Sequence, residues 1–307
     1  MFALEAVNLT KRYRHSKQPA LDGLNLEIEG GKIFTLLGRN GAGKTTFLRI
    51  ASTQLMPTSG SVIVLGLDAV KDAVEIRDRI AVTPQDAETI YPLTARDHIM
   101  LSLRMRGMDK AAAAQKTQAA IEALELTEVA DMNSEWLSGG LKQRVVVAMA
   151  IATDAELIFL DEPSIDLDPL NRRRVWDQLA RIKRDGRTIV LTTHYMDEAD
   201  ILSDRLAIIS KGRVVAQGTP QSVKESFTKG GMRVEVGGAF SEKDLEPFGR
   251  VLMIAGKYRV LTDAAGAKSL GEEALAKGTS VAINPVSLDD VFVDIVGEAE
   301  KGEEDGS

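Results

Sequence analysis

The chain has 307 residues, enough for one large domain and a second small one, and its net charge of −7 argues against a general nucleic-acid-binding protein, which is normally basic. It contains no cysteine, which excludes disulfides, thiolate chemistry and cysteine-ligated metals. Hydrophobic residues make up 44% of a chain that has neither an apolar run of about 18 residues nor a recognisable secretion signal, so no segment is expected to span a membrane.

The first strands are predicted near the N-terminus. LNLEIE over 24–29 alternates apolar and polar residues and meets Gly30-Gly31, which predicts a hairpin into IFTLLG over 33–38. Later runs are apolar throughout, as in strands buried on both faces of a mostly parallel sheet: 61–65, 80–83, 157–161, 188–193 and 205–210. Helical segments at 45–54, 170–184 and 196–202 separate strands, so the sequence predicts an α/β fold.

A glycine-rich loop joins the strand at 33–38 to the helix at 45–54. Its sequence, GRNGAGKTT, fits the pattern G-x-x-x-x-G-K-[ST] in the required strand–loop–helix context. Glycines let the backbone curl around phosphates, while Lys44 is expected to contact the β- and γ-phosphates and the Thr45 hydroxyl to bind Mg²⁺. The predicted nucleotide site comprises Gly38, Arg39, Asn40, Gly41, Ala42, Gly43, Lys44, Thr45 and Thr46.

Residues 95–131 interrupt the strand–helix alternation with a purely helical stretch. We predict an inserted helical subdomain over about 95–150. Within it, LSGG (the signature segment, residues 137–140) stands directly before a helix. Because the first N–H groups of a helix are unpaired and glycine permits close approach, Ser138, Gly139 and Gly140 predict a second phosphate site.

Two adjacent acids follow the apolar strand at 157–161. Asp161 at the strand tip is expected to hold Mg²⁺, and Glu162 is placed to polarise an attacking water as general base. A solvated acidic turn is the alternative interpretation. The phosphate loop elsewhere in the chain favours the functional one.

Three further side chains are candidates for the same site. His194 ends the strand TIVLTT at the sheet edge where ligands gather, although a lone histidine is more often structural. Gln85 also follows a strand, and its amide can reach Mg²⁺ or water, but alone it resembles any loop glutamine. Tyr13 can stack on a base or be an ordinary half-buried aromatic. His15 and His98 are expected to lie at the surface.

The main domain is predicted to span 1–220, because Gly218-Thr219-Pro220 breaks the pattern there. Residues 221–296 mix short strands (RVEV, YRVLT and SVAIN) with helices, which predicts a small accessory α+β domain. The acidic segment 297–307 is expected to be disordered.

Tyr13, GRNGAGKT, Gln85, LSGG, LIFLDEP, SIDLD and His194 occur in one order along the chain. This order resembles the ATPase subunit of ABC transporters over about residues 2–220, and LSGG before a helix is that family's own signature. The resemblance implies a P-loop NTPase fold with a mostly parallel sheet, an antiparallel β subdomain and the inserted helical subdomain.

The resemblance also implies roles for individual residues. Tyr13 would stack on adenine, and Gln85 would bind Mg²⁺, sense the γ-phosphate and touch a membrane partner. The remaining implied roles are Asp161 as the Mg²⁺-linked acid, Glu162 as general base, Asp168 as the D-loop aspartate and His194 as the switch histidine.

Subunits of this family pack head to tail, so that Ser138, Gly139 and Gly140 of one would cap the ATP of the other. This arrangement accounts for two phosphate sites in one chain. The implied cofactors are ATP and Mg²⁺. The implied partners are a second subunit, in a homodimer or an ABC ATPase heterodimer, and a polytopic membrane permease, but no nucleic acid. The implied location is cytoplasmic, on the inner face of the cell membrane through the permease.

The chain departs from the family pattern at two positions. Leu141 stands where the signature usually has glutamine, which puts that amide's contact with the partner's nucleotide in doubt, and Asp166 stands where glycine is common. Near the C-terminus, NPVSLDDVFVDIVG over 284–297 resembles the close of ABC-2-type exporter ATPases, including the daunorubicin-resistance type. An amphipathic helix start capped by Ser287 is the alternative for that segment.

The function predicted from the sequence is therefore an ATP-hydrolysing subunit that drives a separate permease, in an exporter. A non-transport ABC ATPase acting on ribosomes or DNA is the alternative. A single phosphate loop, and a spacing of 94 residues between Lys44 and Ser138 that leaves no room for a long coiled coil, count against it. No N-K-x-D guanine-reading motif is present, and the basic run 172–174 is expected to be a solvated helix face.

Overall fold

The computed structural model describes residues 1–85, 87–227, 231–238, 240–254 and 256–295, so the acidic segment 297–307 lies outside the described residues. The chain divides into two compact units, Met1–Gln217 and Gly218–Ser307.

The described residues of the first unit form ten strands and seven α-helices. The strands are β1 (Phe2–Lys11), β2 (Leu21–Glu29), β3 (Ile33–Leu37), β4 (Ser59–Val64), β5 (Leu67–Asp68), β6 (Ile80–Thr83), β7 (Leu157–Asp161), β8 (Thr188–Thr193), β9 (Arg205–Ser210) and β10 (Arg213–Gly218). The helices are α1 (Lys44–Ala51), α2 (Ala73–Arg79), α3 (Ala95–Met105), α4 (Lys110–Ala123), α5 (Gly139–Ile151), α6 (Pro169–Arg184) and α7 (Met196–Leu202).

The strands described for the first unit form two sheets. A six-stranded sheet has the order β10-β9-β3-β8-β7-β6, and β3, β6, β7, β8 and β9 pair in parallel. A four-stranded antiparallel sheet has the order β2-β1-β4-β5. The predicted P-loop NTPase fold, with a mostly parallel sheet and an antiparallel β subdomain, is confirmed.

The apolar strands of the parallel sheet are buried on both faces. In β7, Ile158 and Leu160 belong to a core shared with the helices α3, α4 and α5, whereas Leu157 and Phe159 belong to a core shared with β1 and β2. Side chains alternate across a strand, so a strand between two cores must be apolar at every position. The parallel sheet therefore lies between the helical layer and the antiparallel sheet.

Two strand predictions were wrong. The predicted hairpin between 24–29 and 33–38 does not form, because β2 pairs with β1 and β3 pairs with β8 and β9 in the other sheet. Gly31, with φ +72°, turns the chain from one sheet to the other. The run 61–65 is not a strand of the parallel sheet, since β4 pairs antiparallel with β1 and is exposed over its first half.

The helical subdomain begins with α3, whose first turn is closed by a capping box between Thr94 and Asp97. The prediction that His98 lies at the surface was wrong, because its side chain is only 3% exposed. Its Nε2 accepts a hydrogen bond from the Ile90 N–H at 2.7 Å, and Nδ1 lies 2.7 Å from the Thr94 carbonyl oxygen. His98 thus fixes the segment that leads into α3.

The second unit is an α+β domain. Its elements are α8 (Pro220–Phe227), β11 (Met232–Val236), α9 (Glu242–Leu245), β12 (Arg250–Ile254), β13 (Lys257–Thr262), α10 (Ala264–Ala276), β14 (Val281–Pro285) and α11, a helix over 288–295. The antiparallel sheet has the order β12-β13-β11-β14, and α10 contributes Leu270 and Ala274 to a core with Val234 and Val260. Strand β12 was not predicted.

The segment SLDD leads into α11, and its charged side chain Asp290 binds two arginines of the sheet. Ser287 and Asp290 form a reciprocal capping pair, in which the Asp290 N–H donates to Ser287 Oγ at 3.3 Å and the Ser287 N–H donates to Asp290 Oδ2 at 3.0 Å. The Asp290 carboxylate is fully buried and receives hydrogen bonds from Arg233 at 3.0 Å and Arg259 at 3.2 Å. The motif is thus the junction between the helix and the sheet.

No helix in the described parts of the chain is both long enough and apolar enough to cross a bilayer.

Candidate functional site

The phosphate loop connects the buried strand β3 to α1. Gly41 and Gly43 have φ values of +82° and +112°, which other residues rarely adopt. A Cβ atom on Gly38 would lie 2.6 Å from the Ile209 carbonyl oxygen, so a side chain is excluded there as well. No side chain caps α1 at Gly43, and the first N–H groups of the helix are therefore available to an anion.

Lys44 extends across this loop and is 5% exposed. Its ammonium group donates to the carbonyl oxygens of Gly38 at 2.7 Å and Arg39 at 3.3 Å, and lies 3.5 Å from Glu162 Oε1. Burial lowers the pKa of Lys44, while the charge of Glu162 and a hydrogen bond to it oppose the change. The cation is thus held inside the loop that is predicted to bind phosphate.

Asp161 and Glu162 lie at the carboxyl end of β7. The Asp161 carboxylate accepts hydrogen bonds from the Thr192 hydroxyl and from Thr45, and burial raises its pKa despite these bonds. The Glu162 N–H donates to Thr192 Oγ1 at 3.0 Å. Glu162 has φ +51°, an unfavourable value for a non-glycine residue that is typical of functional sites.

Side chains from three separate segments converge on the Glu162 carboxylate. Besides Lys44, His194 Nδ1 lies 3.2 Å from Oε2, and Gln85 Nε2 donates to Oε2 at 3.5 Å. His194 is about one-third exposed and Gln85 is exposed, whereas Glu162 itself is buried. The structure therefore brings together the four residues for which the sequence predicts catalytic roles.

Tyr13 lies beside the phosphate loop. Its hydroxyl is 3.3 Å from Thr46 Oγ1, the Lys11 ammonium lies 5.6 Å from the centre of its ring, and the residue is 41% exposed. An exposed aromatic face next to a phosphate loop is available for stacking on a base.

The signature segment forms the start of α5. Ser138 is the N-cap, and its hydroxyl accepts a hydrogen bond from the Leu141 N–H at 3.3 Å. Ser138 and Gly139 are exposed. Within the described part of the chain, no hydrogen bond or ion pair joins Ser138, Gly139 or Gly140 to the phosphate loop. The second predicted phosphate site thus faces solvent and does not contact the phosphate loop of its own chain.

The departures from the family pattern have structural explanations. Leu141 is half-buried and packs its apolar side chain against the core. Asp166 adopts φ +59°, which explains why glycine is common at this position, and aspartate tolerates such values better than most residues. Asp168 caps α6 by accepting hydrogen bonds from the N–H groups of Leu170 and Asn171, both at 3.0 Å.

Sequence reasoning missed residues that support the site from behind. Thr192 contacts both Asp161 and Glu162, and Gln143 of α5 donates to the Pro163 carbonyl oxygen at 3.2 Å. Glu198 of α7 is a fully buried carboxylate. In the sequence, only the two threonines that end the apolar strand TIVLTT indicated such supporting contacts, because a hydroxyl at a buried strand end needs a hydrogen-bond partner.

Comparison with known proteins agrees with this geometry. A family model described as ABC transporter matches residues 21–165. The daunorubicin/doxorubicin resistance ATP-binding protein DrrA of Streptomyces peucetius is 36% identical over 244 residues, which cover 80% of this chain and 73% of DrrA. The daunorubicin resistance ATP-binding protein DrrA3 of Streptomyces coeruleorubidus is 34% identical over 300 residues, 94% of each chain.

Among solved structures, the chain is similar to the ATP-binding cassette MJ0796, in a dimeric post-hydrolysis state bound to ADP and Pi. The TM-score is 0.65 at 27% sequence identity, and the match covers 70% of this chain and 98% of that chain. The match is about as long as the first unit.

Proposed function

The chain belongs to the ABC transporter family of ATP-hydrolysing proteins, and from this premise we propose that it is the ATP-binding subunit of an exporter, working as a head-to-tail dimer that drives a separate membrane permease. The observation that carries the proposal is the convergence of Lys44, Gln85 and His194 on Glu162, beside a phosphate loop. Turnover of ATP would then open and close the dimer and so move the permease.

The phosphate loop and Lys44 would bind the phosphates of ATP. Lys44 is held by two carbonyl oxygens and Glu162, and an incoming γ-phosphate offers it a stronger anionic partner. As Lys44 turns to the phosphates, Glu162 loses its cation and becomes free to orient a water. His194, 3.2 Å from that carboxylate, would hold it in place and donate to the γ-phosphate.

The site also fits Mg²⁺. Thr45 hydrogen-bonds to Asp161, which places a hydroxyl and a carboxylate side by side, and Mg²⁺ prefers such oxygen ligands. No cluster of three or more histidine, cysteine or acidic side chains suited to a metal occurs in the described residues, as expected for an ion whose other ligands are phosphates and water. Thr45, Asp161 and Gln85 would hold the ion, which supplies positive charge to the phosphates.

The signature segment would act on a second subunit. Ser138 and Gly139 are exposed at the N-terminus of α5 and make no bond to the phosphate loop of their own chain. A helix N-terminus attracts anions, so the γ-phosphate bound to a partner subunit is the expected ligand. With each chain presenting both halves, a symmetric dimer encloses two ATP molecules.

The permease would dock in a groove of about 300 Å³ between β6, α3 and α5. The groove begins at the strand end that carries Gln85, and its lining includes Met105, which is 80% exposed, and Met149. Leu101, Ile90 and Tyr91 add further exposed apolar surface near α3. Exposed apolar surface of this kind suits an apolar element of a partner protein. Docking there would place the chain on the inner face of the membrane.

Export is supported by the relatives and by the second unit. DrrA and DrrA3 are named as resistance ATP-binding proteins, and DrrA3 matches this chain over 94% of its length, so the similarity includes most of the second unit. No observation favours action on ribosomes or DNA, and the charge of −7 counts against nucleic-acid contact.

The test is a pull-down of the tagged protein from detergent-solubilised native membranes. We expect a polytopic membrane protein in near-equal amount, and its loss with Met105→Glu, which puts a charge in the groove. Val74→Glu is the matched control, because Val74 is 74% exposed and is not among the groove residues. Recovery of ribosomes or DNA-repair proteins, or of no membrane protein, would contradict the proposal.

A further inference from the structure

Glu198 of α7 is a buried carboxylate behind the site that none of the proposed catalytic steps uses. None of the surface of Glu198 is accessible to solvent. Its Oε1 atom accepts a hydrogen bond from the Trp176 indole at 2.8 Å, and the hydroxyls of Thr193 and Ser164 also lie against the carboxylate. Charged or polar groups this deeply buried are retained only where they make specific contacts.

Two residues of α6 hold the turn that carries His194. Trp176 binds Glu198, and Arg172, one helical turn earlier on the same face, stacks over the Tyr195 ring at 4.1 Å. The His194 and Tyr195 rings are themselves 4.2 Å apart. The position of His194 is therefore set by helix α6 through both the Tyr195 stack and the Glu198 carboxylate.

Helix α6 starts at the D-loop, which comprises residues 163–168. Asp168 is the N-cap of α6, and Ser164 of the same loop lies against Glu198. Ser164 Oγ and Glu198 Oε2 are buried, yet neither has a hydrogen bond of good geometry among the described residues. Such unpaired buried atoms are costly, so a small movement of the D-loop that joined them would be favourable.

We infer that Glu198 is a positioning residue that ties the D-loop to the turn bearing His194, so that His194 meets Glu162 correctly only when the D-loop is in place. The D-loop lies next to the signature segment, since a Cβ atom on Gly140 would be 3.3 Å from the Leu167 side chain, so in the proposed dimer it would lie near the subunit interface. This inference rests on the proposed role of His194. It adds a route by which assembly of the interface is communicated to the catalytic carboxylate of the same subunit.

The test compares steady-state ATP hydrolysis by the full chain and its variants. Glu198→Leu removes the carboxylate, and we expect kcat to fall by about tenfold or more with KM for ATP changed less than about threefold, because a misplaced group slows chemistry without weakening binding. Glu198→Gln keeps an acceptor for Trp176 and a partner for Ser164, and should restore most of kcat. Thr117→Val is the control for removal of a buried polar group elsewhere, since Thr117 Oγ1 is also unpaired.

A double-mutant cycle separates positioning from a general structural role. If Glu198 acts through His194, then Glu198→Leu adds little to the loss already caused by His194→Ala, measured under single-turnover conditions with excess protein. Losses that multiply, or a folded Glu198→Leu variant with wild-type kcat, would overturn the inference.

If Glu198→Leu fails to fold, Trp176→Phe decides, because it removes the indole N–H that donates to Glu198 and keeps an aromatic ring in the core: a lower kcat supports the inference and an unchanged kcat overturns it. Wild-type turnover in His194→Ala would instead contradict the proposed role of His194, whatever the Glu198 variants do.

Discussion

The ammonium group of Lys44 lies 3.5 Å from the carboxylate of Glu162, and both side chains are buried. One belongs to the phosphate loop and the other to the end of β7, so the group that would bind the γ-phosphate neutralises the group that would activate water. Each charge compensates the burial of the other. Arrival of ATP would break this pair, which links nucleotide binding to release of the base.

The first prediction concerns Glu162→Gln. ATP hydrolysis should fall by about 10²–10⁴-fold because an amide cannot accept the proton of the attacking water. ATP affinity should be equal to that of the wild type or higher, since Lys44 no longer has a competing carboxylate. Equilibrium binding and phosphate release measure the two effects. Glu156→Gln, an exposed carboxylate paired with Arg79, is the control, and wild-type turnover in Glu162→Gln would remove Glu162 as the base.

The second prediction concerns Ser138. Ser138→Ala should lower the free energy of unfolding by about 1 kcal/mol through loss of the N-cap of α5. Ser138→Arg should abolish turnover yet leave the ATP affinity of the monomer unchanged, because in the proposed dimer the signature segment would act on the partner's nucleotide. Ser241→Ala removes a comparable cap in the second unit and should not change turnover. Lost affinity in the isolated Ser138→Arg monomer would mean that the segment binds nucleotide within its own chain.

The third prediction is a pH dependence of stability. Burial raises the pKa of Glu198 above its ordinary value of 4.5. A carboxyl with a higher pKa in the folded state contributes stability that is complete below the unfolded pKa and is lost as the pH rises through the folded pKa. The variant Glu198→Gln cannot ionise, so its free energy of unfolding relative to the wild type should increase with pH. Denaturant titrations between about pH 5 and about pH 8 measure this difference.

A matched control comes from Glu156, whose pKa is lowered by its hydrogen bond to Arg79. Its contribution is present above the unfolded pKa and is lost only as the pH falls, so the stability difference for Glu156→Gln should stay flat over the same range. A flat difference for Glu198→Gln as well would mean that Glu198 is not protonated more readily in the folded state.

The fourth prediction concerns Asp290 in the second unit. Asp290→Ala removes the buried carboxylate that Arg233 and Arg259 share and should destabilise this unit by about 2–3 kcal/mol, because both arginines keep their ion pair with Glu235. Thermal unfolding measures the change. Asp263→Ala, which removes only the N-cap of α10, should cost about 1 kcal/mol. Equal effects of the two substitutions would show that the SLDD segment does no more than start a helix.

The sequence predicted the parts of the fold that depend on local pattern. Runs such as LIFLD and TIVLTT became strands of the parallel sheet because their side chains face a core on both sides. The hairpin after Glu29 was wrong because alternation predicts a strand but not its partner. His98 was misplaced for a related reason, since its acceptor and donor partners are fixed only when 90–94 folds onto α3.

The candidate site likewise has residues that the sequence predicts and residues that it does not. The phosphate loop and the acids after β7 lie in contiguous segments with a recognisable pattern, so the sequence predicts them directly. Glu198 could not be predicted, because its importance arises from Trp176 and Ser164, which are distant in sequence. Buried polar contacts between separate segments leave no periodic signal.

We propose above all that ATP is hydrolysed between the phosphate loop of one subunit and the signature segment of the other. The most direct measurement is the mass of Glu162→Gln in solution, by light scattering at micromolar concentration, with and without MgATP. We predict a dimer with MgATP and a monomer without it, and a monomer under both conditions when Ser138→Arg is added. A protein that binds MgATP yet stays monomeric, or a dimer that survives Ser138→Arg, would contradict the account.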